Sequence, residues 1–302
     1  MRNILRVGIA AMVAMAFALG CDKGGGQGSG AKQTIVVDGS DTMVNLSQAW
    51  AEAYTKAHPD VHIEVAGGGS GVGISSLIGG KVNMANSSRK MEEKEIAKFK
   101  EANGGKEPKE YQVAIDALAV YVNPQNPIEQ ISQEELAEIY GDGGKIDKWA
   151  QLGVKNTACA SDEITRVSRQ NNSGTYAYFR EHILGKKRDY KQGSIDQSGS
   201  KDVVALVAKT PCAIGYSGMG YKTPDVKWLK VSKKKGESGV APSIETALDG
   251  SYPISRPLFI YTPGEPTGAV KDFIDWCNGP EGQKIVKDVG FVPLPKKTVA
   301  MR

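Results

Sequence analysis

The sequence has few of the residues that acid–base and metal chemistry require. Three histidines occur among its 302 residues, His58, His62 and His182, and they lie in or beside predicted elements with no metal-ligand or catalytic-triad partner in view. Hydrolysis of an ester needs a metal cluster or an activated nucleophile, and neither is evident. We therefore predict a non-enzymatic protein with no catalytic residue, no metal and no cofactor.

Two glycine-containing stretches come close to enzyme motifs, and each fails at one position. Ser70 is followed two residues later by Val72, where a nucleophile elbow has glycine. Gly80-Lys81 is followed by Val82, where the phosphate-binding loop of nucleotide hydrolases has serine or threonine. Neither stretch therefore supports an enzyme.

The chain also lacks a strong charge of one sign. Its formal net charge is +4, and the one dense basic run, Lys233 to Lys235, is typical of a solvated loop. We therefore expect no nucleic-acid partner. With 40% hydrophobic residues the chain is long enough for two packed domains, and its composition is not that of a disordered or fibrous protein.

Long apolar runs are scarce, and one of them lies at the N-terminus. Arg2 and Arg6 precede VGIAAMVAMAFALG, which is too short for a transmembrane helix and typical of a secretory signal. The run ends in Ala-Leu-Gly-Cys, which resembles a bacterial lipobox, where the cysteine becomes the lipidated first residue. We predict a signal peptide over residues 1–20 and lipid attachment at Cys21. The alternative is an ordinary cleavage site beside an incidental cysteine.

The residues after Cys21 predict a tether between a lipid and a folded domain. Residues 21–32 contain mostly Gly, Ser and polar residues, none of which can pack into a core. A flexible chain of this composition has a typical reach of about 18 Å. We expect a lipid-anchored protein of the periplasm or cell surface of a bacterium.

Cysteine is also rare, and three cysteines remain beyond the N-terminal one. An odd number in an oxidising compartment leaves at least one thiol unpaired. Cys159 and Cys212 flank the same part of the predicted fold and could form a disulfide. Cys277, in the helical pattern FIDWCNG, is expected to be a buried free thiol.

Glycine, by contrast, is abundant, and it concentrates in turns that run into helices. GGGSGVGISS (67–76) allows the backbone to curl so that successive N–H groups and the Ser70 hydroxyl point into one concavity. A helix N-terminus leaves amide donors unpaired and carries partial positive charge, so it suits an anion. VDGSDTMV (37–44) and SRQNNSGTY (168–176) have the same character. We predict that the three turns converge on one oxyanion.

The order of predicted elements indicates an α/β protein. TIVVDG, a helix that stops at His58-Pro59, VHIEVAG and the helix after the glycine turn form a βαβα series, which predicts a mainly parallel sheet. Two long apolar strands, 111–124 and 252–262, lie far apart in sequence. We expect them to join two domains, with the ligand in the cleft between them. The predicted domains are 33–116 plus 257–302 and 117–256.

Eight segments, taken together, resemble one protein family. They are GSDTM, VAGGGSGVGI, NSSRKM, IYGDGGKIDKW, SRQNNSGTYAYF, CAIGYSG, YPISRPLFIY and PEGQKIVKDVGFVPL, in that order. The chain resembles the phosphate-binding lipoproteins of bacterial high-affinity phosphate ABC transporters, over nearly the whole mature chain. The resemblance implies the type II periplasmic binding protein fold, with two α/β domains joined by two crossing strands and phosphate held in the interdomain cleft.

The resemblance also implies a set of phosphate-binding residues. They are Thr42, the Met43 amide, Ser70, Arg89, Arg169, Ser173, Gly174 and Thr175. The chemistry agrees, because an arginine offers a planar fork for two oxygens while hydroxyls and helix amides add neutral donors. Each feature also has a purely structural alternative. The glycine turn could only pack a helix against the sheet, and Ser173 and Thr175 could only cap a helix. Arg89 and Arg169 could form structural ion pairs.

One position departs from the pattern of the best-described members. They carry an aspartate in the turn that corresponds to NSSRKM, which accepts a hydrogen bond from the phosphate's own proton and so rejects sulfate, and we match that position to Arg89. An arginine accepts no hydrogen bond. We therefore expect Asp41, in the first turn, to be the acceptor instead.

The function that the resemblance implies is capture of inorganic phosphate and its delivery to the permease subunits of an ABC transporter. Hinge closure brings donors from both domains together, and a ligand stabilises the closed form by binding it better than the open form. We expect a monomer. The alternatives are a receptor for sulfate, molybdate or tungstate, and, less favoured, a phosphate-releasing hydrolase.

Overall fold

The computed structural model describes residues 32–295. The predicted signal peptide, Cys21 and the predicted tether up to residue 31 lie outside the described residues, as do residues 296–302. Within the described range, no helix has the length and apolar character needed to cross a membrane.

Strands and helices alternate along most of the described range. The strands are β1 (Gln33–Gly39), β2 (Val61–Val65), β3 (Met84–Ser87), β4 (Lys109–Val122), β5 (Gln130–Ser132), β6 (Thr165–Arg169), β7 (Ile195–Gln197), β8 (Ala213–Gly218), β9 (Lys227–Trp228), β10 (Lys230–Ser232) and β11 (Ser255–Thr262). The helices are α1 (Val44–Ala57), α2 (Ser70–Ile78), α3 (Glu93–Ala102), α4 (Gln133–Tyr140), α5 (Gly174–Phe179), α6 (Ser200–Lys209), α7 (Ile244–Leu248), α8 (Gly268–Asn278) and α9 (Pro280–Asp288).

Hydrophobic spacing explains the first elements. In α1, Leu46, Trp50 and Tyr54 recur at helical spacing and are buried on the face that packs against the sheet. In β2, Val61 and Ile63 are buried while the intervening residues are exposed, as expected of a strand with one solvated face. The predicted βαβα start of the chain is confirmed.

The main sheet is mixed, which differs from the mainly parallel sheet that the sequence predicted. Its strand order is β2-β1-β3-β11-β4-β8-β6-β7, with β9 paired to β4. The β1–β2, β1–β3, β6–β7 and β6–β8 pairs are parallel, whereas β11 and β4 run antiparallel to each other and to their outer neighbours. The reason is that β4 carries the chain from one side of the sheet to the other and β11 brings it back. We call β2-β1-β3 the β1 side and β8-β6-β7 the β6 side.

The long strand β4 is shared between the two sides. Its first part, from Lys109 to Ala117, pairs with β11, and its last part, from Leu118 to Val122, pairs with β8. The two crossing strands are therefore confirmed, and so is the type II arrangement of two α/β domains that they join. The boundaries after residues 116 and 256 stay a prediction.

The cysteines of the described range behave as the sequence suggested. Cys159 and Cys212 form a disulfide on the β6 side, where Cys212 immediately precedes β8. Cys277 lies in α8, is fully buried and is a free thiol, and burial raises its pKa well above the usual value. The disulfide agrees with an oxidising compartment.

Candidate anion-binding site

The three glycine-containing turns meet at the carboxyl ends of β1, β2 and β6. The Gly68 amide donates to Asp41 Oδ1 at 2.9 Å. Asn172 joins the third turn to the second, because its Nδ2 donates to the Gly68 carbonyl at 2.9 Å and its carbonyl accepts from the Gly71 amide at 3.0 Å. Parallel strands place such turns at one edge of a sheet. The predicted convergence of the three turns is confirmed.

Buried hydroxyl groups line the place where the turns meet. Ser40 Oγ donates to Ser88 Oγ at 2.9 Å, Ser70 Oγ lies 3.3 Å from Ser88 Oγ, and the Ser88 amide donates to Ser70 Oγ at 3.0 Å. Thr42 Oγ1 lies 2.9 Å from Thr175 Oγ1. We call these five residues the hydroxyl cluster; all five are 2% exposed or less. Four come from the β1 side and Thr175 comes from the β6 side.

Gly174 closes the hydroxyl cluster from the β6 side. A Cβ at this position would lie 2.3 Å from Ser70 Oγ and 2.5 Å from Ser88 Oγ, closer than any real contact. Ser173, just before it, is the N-cap of α5 and accepts from the amides of Thr175 at 3.1 Å and Tyr176 at 3.4 Å. Capping uses the lone pairs of Ser173 and leaves its O–H free to donate.

The predicted contribution of Met43 is a backbone amide. In the structure this amide donates to the Ser40 carbonyl at 2.9 Å, and the Met43 side chain is fully buried in the core. The short helical turn Asp41–Met43 thus folds back on itself and fixes Thr42 against Thr175.

Arg169 is buried at the end of β6 and joins the two sides of the sheet. Its NH2 donates to Asp41 Oδ2 at 2.9 Å and to the Ser198 carbonyl at 2.7 Å. Its NH1 donates to Ser200 Oγ at 3.0 Å, and its Nε to the Gln197 carbonyl at 3.3 Å. Burial lowers the pKa of Arg169, and the Asp41 carboxylate opposes that shift. Among the described residues these contacts use four of the five guanidinium N–H groups and leave one N–H of NH1 without a partner.

Arg89 does not join the hydroxyl cluster. Its NH1 and NH2 donate to the two carboxylate oxygens of Glu95, each at 2.7 Å, and its NH1 also donates to the Lys90 carbonyl. The residue of this turn that lies in the cluster is Ser88, one position earlier. The hydrogen bonds of Arg89 thus leave it outside the cluster, whereas Ser88, whose hydroxyl can both donate and accept, lies within it.

Asp41 also has a different environment from the one expected. Its Oδ1 accepts from the Gly68 amide and its Oδ2 from Arg169, each at 2.9 Å. Both oxygens thus hold the turns and the two sides together. This use of the carboxylate does not support a role as the acceptor of a ligand's proton.

Sequence reasoning missed a second buried arginine. Arg256 on β11 stands opposite Asp116 on β4, and its Nε and NH2 donate to Asp116 Oδ2 at 3.2 and 2.9 Å. The same NH2 donates to Thr175 Oγ1 at 2.9 Å and to Thr42 Oγ1 at 3.3 Å. Both side chains are at most 1% exposed. Burial raises the pKa of Asp116, and the Arg256 guanidinium opposes the shift.

The chemistry of the site is that of an anion receptor. Among residues 32–295 no group of three or more His, Cys, Asp or Glu could hold a metal ion. The cluster offers hydroxyl donors and helix amides, with two guanidinium groups behind them, which suits an oxyanion.

Comparison with known proteins agrees with this class. A model of the PBP superfamily domain matches residues 25–281. The chain is 35% identical over 279 residues to the phosphate-binding protein PstS of Pseudomonas aeruginosa, which covers 89% of this chain and 85% of that protein. It is 36% identical over 266 residues to the phosphate-binding protein PstS of Bacillus subtilis, covering 87% of this chain and 82% of that protein.

A solved structure shows the same architecture. It is that of a candidate phosphate ABC transporter substrate-binding protein from Clostridium perfringens, with bound phosphate. The two chains are 29% identical and superpose with a TM-score of 0.76 over 87% of this chain and all of the other. The fold and site therefore define a substrate-binding protein of the type II class. The chain belongs to the PBP superfamily and, within it, to the family of the phosphate-binding proteins of phosphate ABC transporters.

Proposed function

We propose that this chain captures inorganic phosphate outside the cytoplasm and delivers it to an ABC transporter for import. The observation that carries the proposal is the hydroxyl cluster, which is buried, is contributed by both sides of the sheet and leaves no room for a side chain at position 174. The two PstS relatives are named phosphate-binding proteins, and each alignment covers more than four fifths of both chains.

The proposed phosphate-binding set is the sequence-based one with one replacement. It comprises Thr42, Met43, Ser70, Ser88, Arg169, Ser173, Gly174 and Thr175. The Met43 amide donates to the Ser40 carbonyl in the structure, so it contacts the anion only where it exchanges that hydrogen bond for one to phosphate. Hydroxyls and amides supply most of the contacts, so the anion is recognised largely by neutral dipoles in a buried site, where each hydrogen bond is electrostatically stronger than in water.

Closure of the two sides is the proposed binding step. Thr42 and Ser70 lie on the β1 side, whereas Arg169 and Thr175 lie on the β6 side, so the full set of donors exists only when the sides are together. Phosphate shifts the equilibrium towards this arrangement because it gains contacts from both sides there.

We further propose that the protein is a lipid-anchored monomer that acts as a receptor and not as an enzyme. The signal-like N-terminus and Cys21 support attachment to a bacterial membrane from the periplasm or cell surface. The membrane partner would be the permease subunits of a phosphate transporter. The disulfide between Cys159 and Cys212 supports an extracytoplasmic location.

Calorimetric titration of the purified protein with phosphate, sulfate and molybdate tests the function. We expect micromolar or tighter binding of phosphate and much weaker binding of the other two. Tighter binding of sulfate or molybdate would overturn the phosphate assignment. Release of phosphate from an ester would overturn the non-enzymatic one.

Two neighbouring serines provide a matched pair of variants for the site itself. Ser88→Ala removes a hydroxyl of the cluster and should weaken phosphate binding about tenfold, the order expected for one hydrogen bond to a charged group. Ser87→Ala is the control, because Ser87 is equally buried but its Oγ donates to the Arg89 carbonyl at 2.6 Å. Equal losses in both variants would contradict the proposed site.

A further inference from the structure

We propose that Arg256 is a positioning residue for phosphate, which orients the paired Thr42 and Thr175 hydroxyls so that one of their two O–H groups donates to the anion. This inference rests on the proposed function. It assigns a role to a side chain that stands outside the proposed binding set and contacts both threonines of that set.

The location of Arg256 between the two crossing strands fixes its guanidinium. Arg256 on β11 is directly opposite Asp116 on β4, and the carboxylate accepts from both Nε and NH2. The Tyr178 ring lies beneath the guanidinium, with Cζ 5.4 Å from the ring centroid. A planar group held by an ion pair and an aromatic face has little rotational freedom, so it can direct the groups it touches.

Counting donors shows what Arg256 does to the threonines. A hydroxyl has one O–H to donate and two lone pairs to accept with, while a guanidinium only donates. Arg256 NH2 has two N–H groups for three acceptors, Asp116 Oδ2 and the two Oγ1 atoms, so at least one N–H is shared. Each threonine that NH2 contacts still has a lone pair occupied. The contact between the two hydroxyls uses one further lone pair and one O–H. The remaining O–H must therefore find an acceptor elsewhere, and an anion in the cluster supplies one.

Arg256 also contacts both sides of the sheet at once. Thr42 belongs to the β1 side and Thr175 to the β6 side, while Arg256 lies on the strand that connects them. The three-way contact forms only when the sides come together. In addition, NH1 of Arg256 is buried and has no partner within the described residues, so the group keeps unused donor capacity next to the cluster.

Removing Arg256 alone would leave Asp116 charged and unpaired in the core, so the test removes both charges. Wild type is compared with the double variant Arg256→Met/Asp116→Asn, a change we call the arginine step, because replacing a buried ion pair by neutral groups preserves folding better than breaking it. We expect the arginine step to weaken phosphate binding about thirtyfold in calorimetry, the size of one charge-assisted hydrogen bond. Arg166→Met, on β6 but bonded to Asp147 and the Gln192 carbonyl, is the control and should change affinity less than about threefold.

A coupling measurement separates positioning from a general effect of charge or folding. The same arginine step is repeated with Thr175→Val, which removes the hydroxyl at nearly constant volume, and with Thr175→Ser, which keeps it. If Arg256 acts through the hydroxyl, its factor should fall to about threefold or less in the valine background and return in the serine background.

The outcomes are distinct. The role of Arg256 is overturned if the arginine step lowers phosphate affinity by the same factor in all three Thr175 backgrounds. It is also overturned if wild type binds phosphate and the arginine step does not lower that affinity. Either result leaves the proposed function standing. A wild-type protein that gives no phosphate isotherm overturns both. Denaturant unfolding of each variant shows whether a loss of affinity merely follows a loss of folded protein.

Discussion

Two arginine–carboxylate pairs of the same chemistry occupy different places in this molecule. Arg169 and Asp41 are 128 residues apart in sequence and pair across the two sides of the sheet. Arg89 and Glu95 are six residues apart and pair within the β1 side. In the closure proposed above, the first pair joins the two surfaces that would separate on opening, whereas the second lies within one of them. Position in the topology, rather than residue type, therefore decides which arginine can take part in ligand capture.

The largest effect should come from removing the arginine that spans the two sides. Arg169→Ala deletes the contact with Asp41 and the one N–H left for an anion, and we expect phosphate affinity to fall on the order of a thousandfold, about 4 kcal/mol. Calorimetry measures the loss, and circular dichroism checks that the fold is intact. Arg169→Lys should recover part of it. Micromolar or tighter phosphate binding by the alanine variant would contradict the role of Arg169 in ligand capture.

A backbone position on the same interface should come next. Gly174→Ala places a Cβ 2.3 Å from Ser70 Oγ, so the two sides cannot close fully, and we expect about a hundredfold loss of affinity. Alanine suits the first turn of a helix, so stability of the open protein should not fall. Gly79→Ala is the control, because Gly79 has φ −79° and a Cβ added there would lie 3.5 Å from its nearest neighbour, the Ser75 carbonyl oxygen. Equal affinities in the two variants would show that the approach of Gly174 is irrelevant to binding.

The carboxylate of the spanning pair should have a smaller effect. Asp41→Asn keeps the shape and one acceptor oxygen but weakens the contact with Arg169, so we expect about a tenfold loss of phosphate affinity. Because the contacts of the Asp41 carboxylate go to Gly68 and Arg169, we assign it to joining the turns, and the preference for phosphate over sulfate should not change. Competition between the two anions measures this preference. If the variant acquires sulfate binding, Asp41 is after all the acceptor of the phosphate proton.

The smallest effect on binding should come from the pair within one side. Arg89→Ala should leave phosphate affinity within about threefold of wild type, because none of its guanidinium hydrogen bonds reaches the hydroxyl cluster. It should lower the free energy of unfolding by about 1 kcal/mol, since the pair is only partly solvated. Urea unfolding and calorimetry measure the two quantities. A large loss of affinity would return Arg89 to the binding set.

Local patterns in the sequence predicted much of this architecture. Ser132 and Glu135 have the spacing of a capping box, which predicts a helix start, and the structure has both of its hydrogen bonds at the start of α4. Gly279-Pro280 likewise predicts a break, and it separates α8 from α9. Features of this kind depend on residues close together in the chain, so a linear reading finds them.

The choice between Ser88 and Arg89 could not be made in the same way. Strand β3 is buried along its whole length, so it has no alternation between faces that would show which following residue points inward. Ser87 and Ser88 are chemically identical and equally buried, and only their partners differ. Arg256 was missed for a related reason. It sits in an apolar strand pattern, and its partner Asp116 is 140 residues away.

The sharing of β4 has a consequence for any attempt to divide the molecule. Because β4 pairs with β8 and β11 lies between β3 and β4, neither side has a finished sheet edge without these two strands. A fragment that ends before Ser255 would expose backbone donors and acceptors on β3 and on the first part of β4, which invites aggregation. Such a truncated chain should be insoluble. The β1 side and the β6 side should therefore fold and unfold together as one cooperative unit.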